Sequence, residues 1–443
     1  MSSTSADIAW PAWGAAPSRG GMLSLFRFGS RGPDPRDQHH IEKTLLEDGG
    51  LTVAEPPKEL AKLEDPGPEA CSQKDSATTL RPGGQAGAVA QLEDVVIDST
   101  GNYIHTLAIR GDSAASSQEA APRHNLVLTH GYFTGLGFFF RNYHELSQVE
   151  GWDIYAIDWL GMGRSSRSAY VSKRAESEDS RVSYAESYFV ESLEEWRKRV
   201  GIERMTLCGH SFGGYMSALY ALKYPQHVEK LVLISPIGVP EQPPDYDTRL
   251  RQGYGPARNR RTDSNDNDTP EYQDAGEGAD DVDRPSTTRA MMLRLVMNLW
   301  ERNYAPQWVI RTAGPFGRRL IDSYVNRFAW LSEAQRQALA NYTHQITTLP
   351  GSSESALGDI LRPGAFARRP LVDRLTQIAM PTTFLYGAND WVDHASGEQV
   401  IRRIGERVRA RLYRIPLAGH NLHLENPADF NKVLIDEMRA VSS

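Results

Sequence analysis

A serine with a glycine two positions away on either side, Gly209-His210-Ser211-Phe212-Gly213, is the strongest chemical signal in this sequence. That G-x-S-x-G spacing suits a sharp strand-to-helix turn that lifts a serine Oγ out of a sheet edge. The glycines Gly209 and Gly213 let the two elements approach without a Cβ clash. The apolar run Met205 to Cys208 precedes the motif, and a helical pattern follows it until Pro225. A serine hydroxyl is a poor nucleophile without a base. His420 follows the last apolar run and is preferred to His423, because Gly419 marks it as a loop residue. Asp390 ends the run Leu385-Tyr386-Gly387-Ala388-Asn389-Asp390 and would hold the imidazole in one tautomer. Asp393 competes for that role but lies further from the strand end. An oxyanion needs two backbone N–H donors. Phe212, directly after Ser211, supplies one. The loop His130-Gly131-Tyr132-Phe133-Thr134-Gly135-Leu136-Gly137 supplies the other, from Tyr132 or alternatively Phe133. Ser211, His420 and Asp390, in that chemical order, perform acyl transfer and call for no cofactor and no metal.

Strands and helices must bring these residues together. Val95 to Ile97 and Tyr103 to Ile109 flank a Ser-Thr-Gly-Asn turn and read as a hairpin. Asn125 to Thr129, Trp152 to Ile157, Arg204 to Cys208 and Val228 to Ile234 are short apolar runs of the buried-strand type. Helical patterns cover 184–200 and Gly213 to Tyr224, and this alternation predicts an α/β fold with a mostly parallel sheet. The same texture returns after Pro370, with strands at Thr382 to Tyr386 and Ala410 to Ile415 and a closing helix from Ala428 to Val441. The Gly-rich stretch Asp158 to Ser165 lacks G-x-x-x-x-G-K and reads as a structural turn; Cys208 reads as a buried strand residue.

Between these parts the composition shifts twice. Residues 241–288 carry twelve acidic residues against six Arg, with few apolar anchors, and read as a disordered acidic insertion. Residues 289–370 carry eleven Arg, no Lys and five acidic residues, interleaved with Met, Leu, Trp and Phe at helical spacing. They read as a helical cap whose apolar residues could line an acyl tunnel and whose Arg side chains suit anionic head groups. The domain reading is thus 1–92 as a disordered extension or targeting segment, 93–240 and 371–443 as the two parts of one catalytic core, and the insertion and cap between them. Within 1–92 there is room for one amphipathic helix around Ile41 to Leu46. The stretch reads first as a Pro/Gly-rich disordered tail; Arg19, Arg27, Arg31 and Arg36 in acid-poor surroundings make a mitochondrial presequence the alternative.

The net charge of −7 argues against a nucleic-acid binder. Cys71 and Cys208, the two cysteines, exclude a disulfide framework and a Cys-based metal site. No apolar run approaches the roughly 20 residues of a membrane span, and the N-terminus shows no apolar signal region.

Taken with their flanks, these motifs resemble the α/β-hydrolase fold superfamily. Leu128-Thr129-His130-Gly131, Tyr155-Ala156-Ile157-Asp158 with Gly161 to Ser166, Ala313-Gly314-Pro315-Phe316-Gly317, Arg368-Arg369-Pro370 and Asn426-Pro427-Ala428-Asp429-Phe430-Asn431 narrow the resemblance. They look like one lipid-metabolising subgroup. It holds the fungal mitochondrial cardiolipin deacylase, fungal lysophosphatidic acid acyltransferase-like proteins, the animal lipid-droplet lipase coactivator and its N-acyl-phospholipid lipase relative. The resemblance implies an α/β-hydrolase fold with an inserted helical cap and a carboxylic ester hydrolase acting on phospholipids. It also implies peripheral membrane association, a mitochondrial, cytoplasmic or lipid-droplet location, and a role in cardiolipin or phospholipid acyl-chain remodelling. Lysophosphatidic acid acylation and a non-catalytic lipase-regulating role are the alternatives. The coactivator lacks the serine that this chain keeps as Ser211. The acyltransferase claim rests on H-x4-D, and here His420 is followed at that spacing by Glu425.

Overall fold

The apolar runs become eight strands in the computed structural model, which describes residues 35–54, 89–111, 123–173, 176–251, 287–302, 304 and 306–442. They are β1 (Val89–Val96), β2 (Tyr103–Arg110), β3 (His124–Thr129), β4 (Trp152–Ile157), β5 (Met205–His210), β6 (Val228–Ile234), β7 (Thr382–Gly387) and β8 (Ala410–Ile415). One sheet contains them all, in the order β1-β2-β4-β3-β5-β6-β7-β8. β2 runs antiparallel to β1 and β4, and every pairing from β4 to β8 is parallel. The sheet is therefore mostly parallel, with flanking helices, as the alternating texture predicted. Each residue of β5 is buried, which is why its sequence does not alternate between apolar and exposed polar residues.

Successive side chains of a strand point to opposite faces. The core accordingly splits in two. Val127, Tyr155, Leu207, Leu231, Leu233 and Phe384 belong to one cluster, which takes in the helix Glu178–Val200 and the helix Phe212–Lys223. Leu126, Leu128, Ile154, Cys208, Val232 and Leu385 belong to the other, which takes in the closing helix Pro427–Ser442 and the helix Glu333–Thr348. The 178–200 helix begins six residues before the predicted start at 184. Ser177 accepts a hydrogen bond from the Ser180 N–H, Glu178 and Asp179 sit in the first turn, and Gly201 ends the helix at φ 82°.

The N-terminal boundary needs correction. The amphipathic helix allowed around Ile41 to Leu46 is present and longer, Pro35–Asp48, and β1 already starts at Val89, inside the segment read as extension. Leu45 and Leu46 of that helix are fully buried in the second cluster. Only the end of β1, from Val95, carries the strand signal, because Gln91, Glu93 and Asp94 interrupt its first part, as suits a strand at the edge of the sheet. Residues 1–34 and 55–88, which include most of the proposed presequence, lie outside the described residues. The acidic insertion is likewise shorter than 241–288. Tyr246–Arg251 is helical, with Tyr246 edge-on to Phe366 at 4.8 Å, and 252–286 lie outside the described residues.

A buried charge cluster fastens the N-terminal helix. Glu42 is fully buried; its Oε2 accepts from His105 Nε2 at 2.9 Å and from Arg164 Nη1. His105 Nδ1 also contacts Asp94 Oδ1 at 2.5 Å. Burial alone would push Glu42 up, but His105 and Arg164 outweigh it and bring it to about 2. Burial alone would lower His105, but Glu42 and Asp94 raise it to about 9. The stability that protonated His105 supplies is therefore full below its ordinary value of 6.5 and is lost as the pH climbs through about 9. Glu42 works in the opposite sense, with stability lost as the pH falls from 4.5 through about 2. We expect the melting-temperature gap between the parent protein and His105→Gln to be largest near pH ~6 and to shrink by pH ~9.5. A gap that stays constant across that range would contradict this coupling.

Between β6 and β7 the chain forms Thr287–Glu301, Pro306–Thr312, Pro315–Val325 and Glu333–Thr348, a run of helices where the Arg-rich segment predicted them. Ser332 and Gln335 close a capping box at the start of the last.

Candidate active site

Every residue singled out for chemistry comes from the C-terminal end of a parallel strand, the edge where open α/β sheets place their sites. Ser211 follows β5, the loop from His130 follows β3, Asp390 follows β7 and His420 follows β8. Ser211 has φ 54° and ψ −115°, a left-handed conformation that costs a non-glycine residue about 1–3 kcal/mol. Its N–H donates to Ile234 O at 2.8 Å, which pins the turn to β6. The flanking glycines are required by contact. A Cβ on Gly209 would lie 2.4 Å from Gly213 O, and one on Gly213 would lie 2.6 Å from the carbonyl oxygens of both Thr129 and His130. Gly213→Ala is therefore expected to cut soluble yield or activity at least tenfold, since the clash is with backbone and no side chain can swing away. Normal expression and turnover of that variant would show the elbow to be looser than this.

His420 Nε2 lies 3.0 Å from Ser211 Oγ, and His420 Nδ1 lies 3.0 Å from Asp390 Oδ1. With its proton on Nδ1, His420 donates to the carboxylate and leaves Nε2 to accept the Ser211 proton. The Asp390 side chain is 1% exposed. Oδ1 also accepts from Val392 N–H at 3.0 Å, and Oδ2 accepts from the buried Ser235 hydroxyl. The competitors are occupied elsewhere. Asp393 Oδ1 accepts from Ala395 N–H at 2.9 Å at the start of a helix. His423 is buried against Phe139 and His210, with ring centroids at 4.5 and 4.6 Å. Burial first, and then the neighbouring His420, lower His423 to about 3, while burial, followed by His423 and then His420, holds His210 well below 6.5. Both rings are neutral at ordinary pH. His210 can thus donate Nε2–H to His420 O at 3.0 Å, tying the loop of His420 to the elbow.

Two holding residues escaped sequence reasoning. Ser235 follows β6 directly, so a small polar residue ending a buried strand beside β7 was its only signal. Glu425 accepts from Gly419 N–H at 2.6 Å through Oε2 and from Asn421 N–H at 3.1 Å through Oε1, bracketing His420 on both sides. The carboxylate five residues after the histidine is therefore engaged with the histidine's own loop.

The expected oxyanion donors border the same point. Phe212 opens its helix, and the N–H of a first helical residue has no intrahelical partner. A Cβ on Gly131 would lie 3.1 Å from Ser211 Cβ, so the chain leading into Tyr132 and Phe133 passes directly beside the serine. Trp159 holds this loop from behind: its N–H donates to His130 Nε2 and its indole N–H to His130 O, both at 3.0 Å. His130 in turn donates Nδ1–H to Gly131 O at 2.7 Å. Helices of the Arg-rich segment reach the same loop. Tyr132 Oη donates to Gln307 Oε1, and Phe133 meets Tyr324 edge-on at 5.6 Å. Cys208 is fully buried, and burial pushes its thiol up, so it is no rival nucleophile. Among the described residues no group of three or more His, Cys, Asp or Glu side chains is arranged to hold a metal ion.

Residues 125–427 match the alpha/beta hydrolase fold family. This chain belongs to the alpha/beta hydrolase fold family. Relatives bear out the subgroup to which the flanking motifs pointed. The hydrolase is 32% identical to the probable 1-acylglycerol-3-phosphate O-acyltransferase of Oryza sativa subsp. japonica, over 73% of this chain and 68% of that protein. It is 30% identical to the human 1-acylglycerol-3-phosphate O-acyltransferase ABHD5, over 75% and 81%. It is 29% identical to the mouse (lyso)-N-acylphosphatidylethanolamine lipase, over 72% and 80%. Among solved structures, a bromoperoxidase from Bacillus anthracis superposes with a TM-score of 0.50 at 15% identity, over 79% of the hydrolase and 99% of that chain; this likeness shows the fold alone.

Proposed function

We propose that this α/β-hydrolase cleaves acyl esters of phospholipids through Ser211, as a phospholipase or deacylase in phospholipid acyl-chain remodelling. The observation that carries the reading is His420 bridging Ser211 and Asp390 at 3.0 Å on each side. His420 takes the Ser211 proton as Oγ attacks the ester carbonyl, and the Phe212 and Tyr132 N–H groups stabilise the oxyanion. His420 then protonates the departing lysolipid, and water releases the acyl chain. The lipid class is supported by the relatives, whose names describe action on acylglycerol phosphates or N-acyl phospholipids. Incubation with phospholipid vesicles is expected to release fatty acid and lysolipid in the parent protein and neither in Ser211→Ala. Equal release by both would defeat the reading.

Acyl transfer to lysophosphatidic acid is the second reading, favoured by the names of the acyltransferase relatives. It needs no separate motif: an acyl-Ser211 intermediate can pass its chain to a lipid hydroxyl in place of water. A distinct H-x4-D site is disfavoured, because His420 already serves Ser211 and Glu425 holds the loop of His420.

The cap is proposed to rest on anionic membrane, cardiolipin-bearing mitochondrial membrane being the first candidate. Among the described residues no helix is long and apolar enough to cross one. Exposed apolar side chains support surface contact: Trp308, Val309, Phe316 and Leu320 on the helices next to the site, and Trp391 beside His420. Arg319 lies over the Phe316 ring at 5.3 Å, combining an apolar anchor with a cation. In co-sedimentation, anionic vesicles are expected to retain at least ~5-fold more protein than neutral ones at low salt. Equal retention would contradict the proposal.

A further inference from the structure

The family match begins at residue 125, yet a carboxylate far upstream is built into the scaffold of the site. Glu42, on the helix Pro35–Asp48, reaches Arg164 and His105, which lie 122 and 63 residues along the chain. Both partners belong to the frame behind the oxyanion loop. Arg164 donates its backbone N–H to Asp158 Oδ2 at 2.7 Å, while Asp158 Oδ1 accepts Leu136 N–H at 2.7 Å. Gly163 closes over the same carboxylate so tightly that a Cβ there would lie 2.2 Å from it. His105 joins the frame through its backbone: its N–H donates to Ser165 Oγ at 2.9 Å, Ser165 Oγ donates to Asp158 O at 2.6 Å, and Asp158 N–H donates to His105 O at 2.9 Å. Asp158 therefore grips the far end of the loop at Leu136. Its neighbour Trp159 grips the near end at His130, one residue from the glycine that touches Ser211. A mobile Arg164 would let the Asp158 turn shift, and with it both ends of the loop.

We propose that Glu42 is a positioning residue for the acyl-transfer site, holding the oxyanion loop in register through Arg164 and the Asp158 turn. The N-terminal helix is then a working part of the enzyme. The proposal rests on Ser211 being the nucleophile, and its test separates the two. A misplacement of about 1 Å costs up to about 100-fold in rate, so Glu42→Gln should lower kcat roughly 10- to 100-fold with KM nearly unchanged. Assays are run well below the melting transitions of all variants, on the full chain with a soluble p-nitrophenyl ester. Met438→Ala serves as the stability-matched control, because Met438 is buried in the closing helix and lies in none of these contacts.

If the effect passes through Arg164, Arg164→Gln lowers kcat similarly and the double variant is no worse than the more damaging single. A kcat loss in Glu42→Gln no larger than in Met438→Ala would overturn the proposal, as would multiplicative losses in the double variant. Should Glu42→Gln not fold, Arg164→Gln decides alone: a lowered kcat supports the proposal and an unchanged one overturns it. Failure of the nucleophile reading would appear separately, as turnover that survives in Ser211→Ala.

Discussion

Ser211→Ala is expected to lower kcat for ester hydrolysis by about 10⁵- to 10⁶-fold while leaving the melting temperature within a few degrees. The loss is large because no second group can take over. Cys208 is buried with its thiol pushed up, and His420 Nε2, 3.0 Å from Ser211 Oγ, would have no proton to take. Stability should hardly fall and could rise, because the residue stays in a left-handed conformation and loses only an Oγ that serves His420. Steady-state kinetics with a soluble ester, alongside a thermal melt, check both halves. A loss below about 100-fold would mean that water bound at the loop, and not Ser211, attacks the carbonyl.

The second large effect is expected at Asp390. Asp390→Asn should reduce kcat by about 10⁴-fold, with KM changed little. The carboxylate accepts from His420 Nδ1, from Val392 N–H and from Ser235, and it is almost sealed from water. An amide at this place offers one oxygen and one NH2 group in place of two acceptors. The NH2 group would force a neighbour to turn away or flip the His420 tautomer, leaving Nε2 protonated and unable to accept from Ser211. Asp393→Asn, by contrast, should stay within a few-fold of the parent, because its carboxylate accepts from Ala395 N–H at the start of a helix and His420 Nδ1 pairs with Asp390 instead. Comparable losses at both positions would contradict the assignment.

Much of this site could be read from the chain because its parts are local. The elbow is five consecutive residues, and the loops bearing Asp390 and His420 each follow an apolar run. The inner strands β3 to β7 are legible for the same reason: each carries a short run buried on both faces, such as Leu126 to Leu128 and Leu231 to Ile234. What stayed hidden depends on partners distant in sequence. Glu42 sits among Arg36, Asp37, His39, His40 and Lys43 and looks like part of a solvated surface. Only folding shows that its carboxylate is fully buried against Arg164. Ser235 gains meaning only when β6 and β7 lie side by side, and Glu425 only when the turn before it curls back. Of β1 only the end at Val95 and Val96 is legible, because Gln91, Glu93 and Asp94 break the apolar pattern of its first part.

The most direct test of the account is capture of the acyl-enzyme. The parent protein is mixed with an activated acyl ester that deacylates slowly, and digested peptides are read by mass spectrometry. A single adduct on the peptide carrying Gly209-His210-Ser211-Phe212-Gly213, localised to Ser211, slowed in Asp390→Asn and absent in Ser211→Ala, is the expected result. An adduct on any other residue, or labelling that survives in Ser211→Ala, would contradict it.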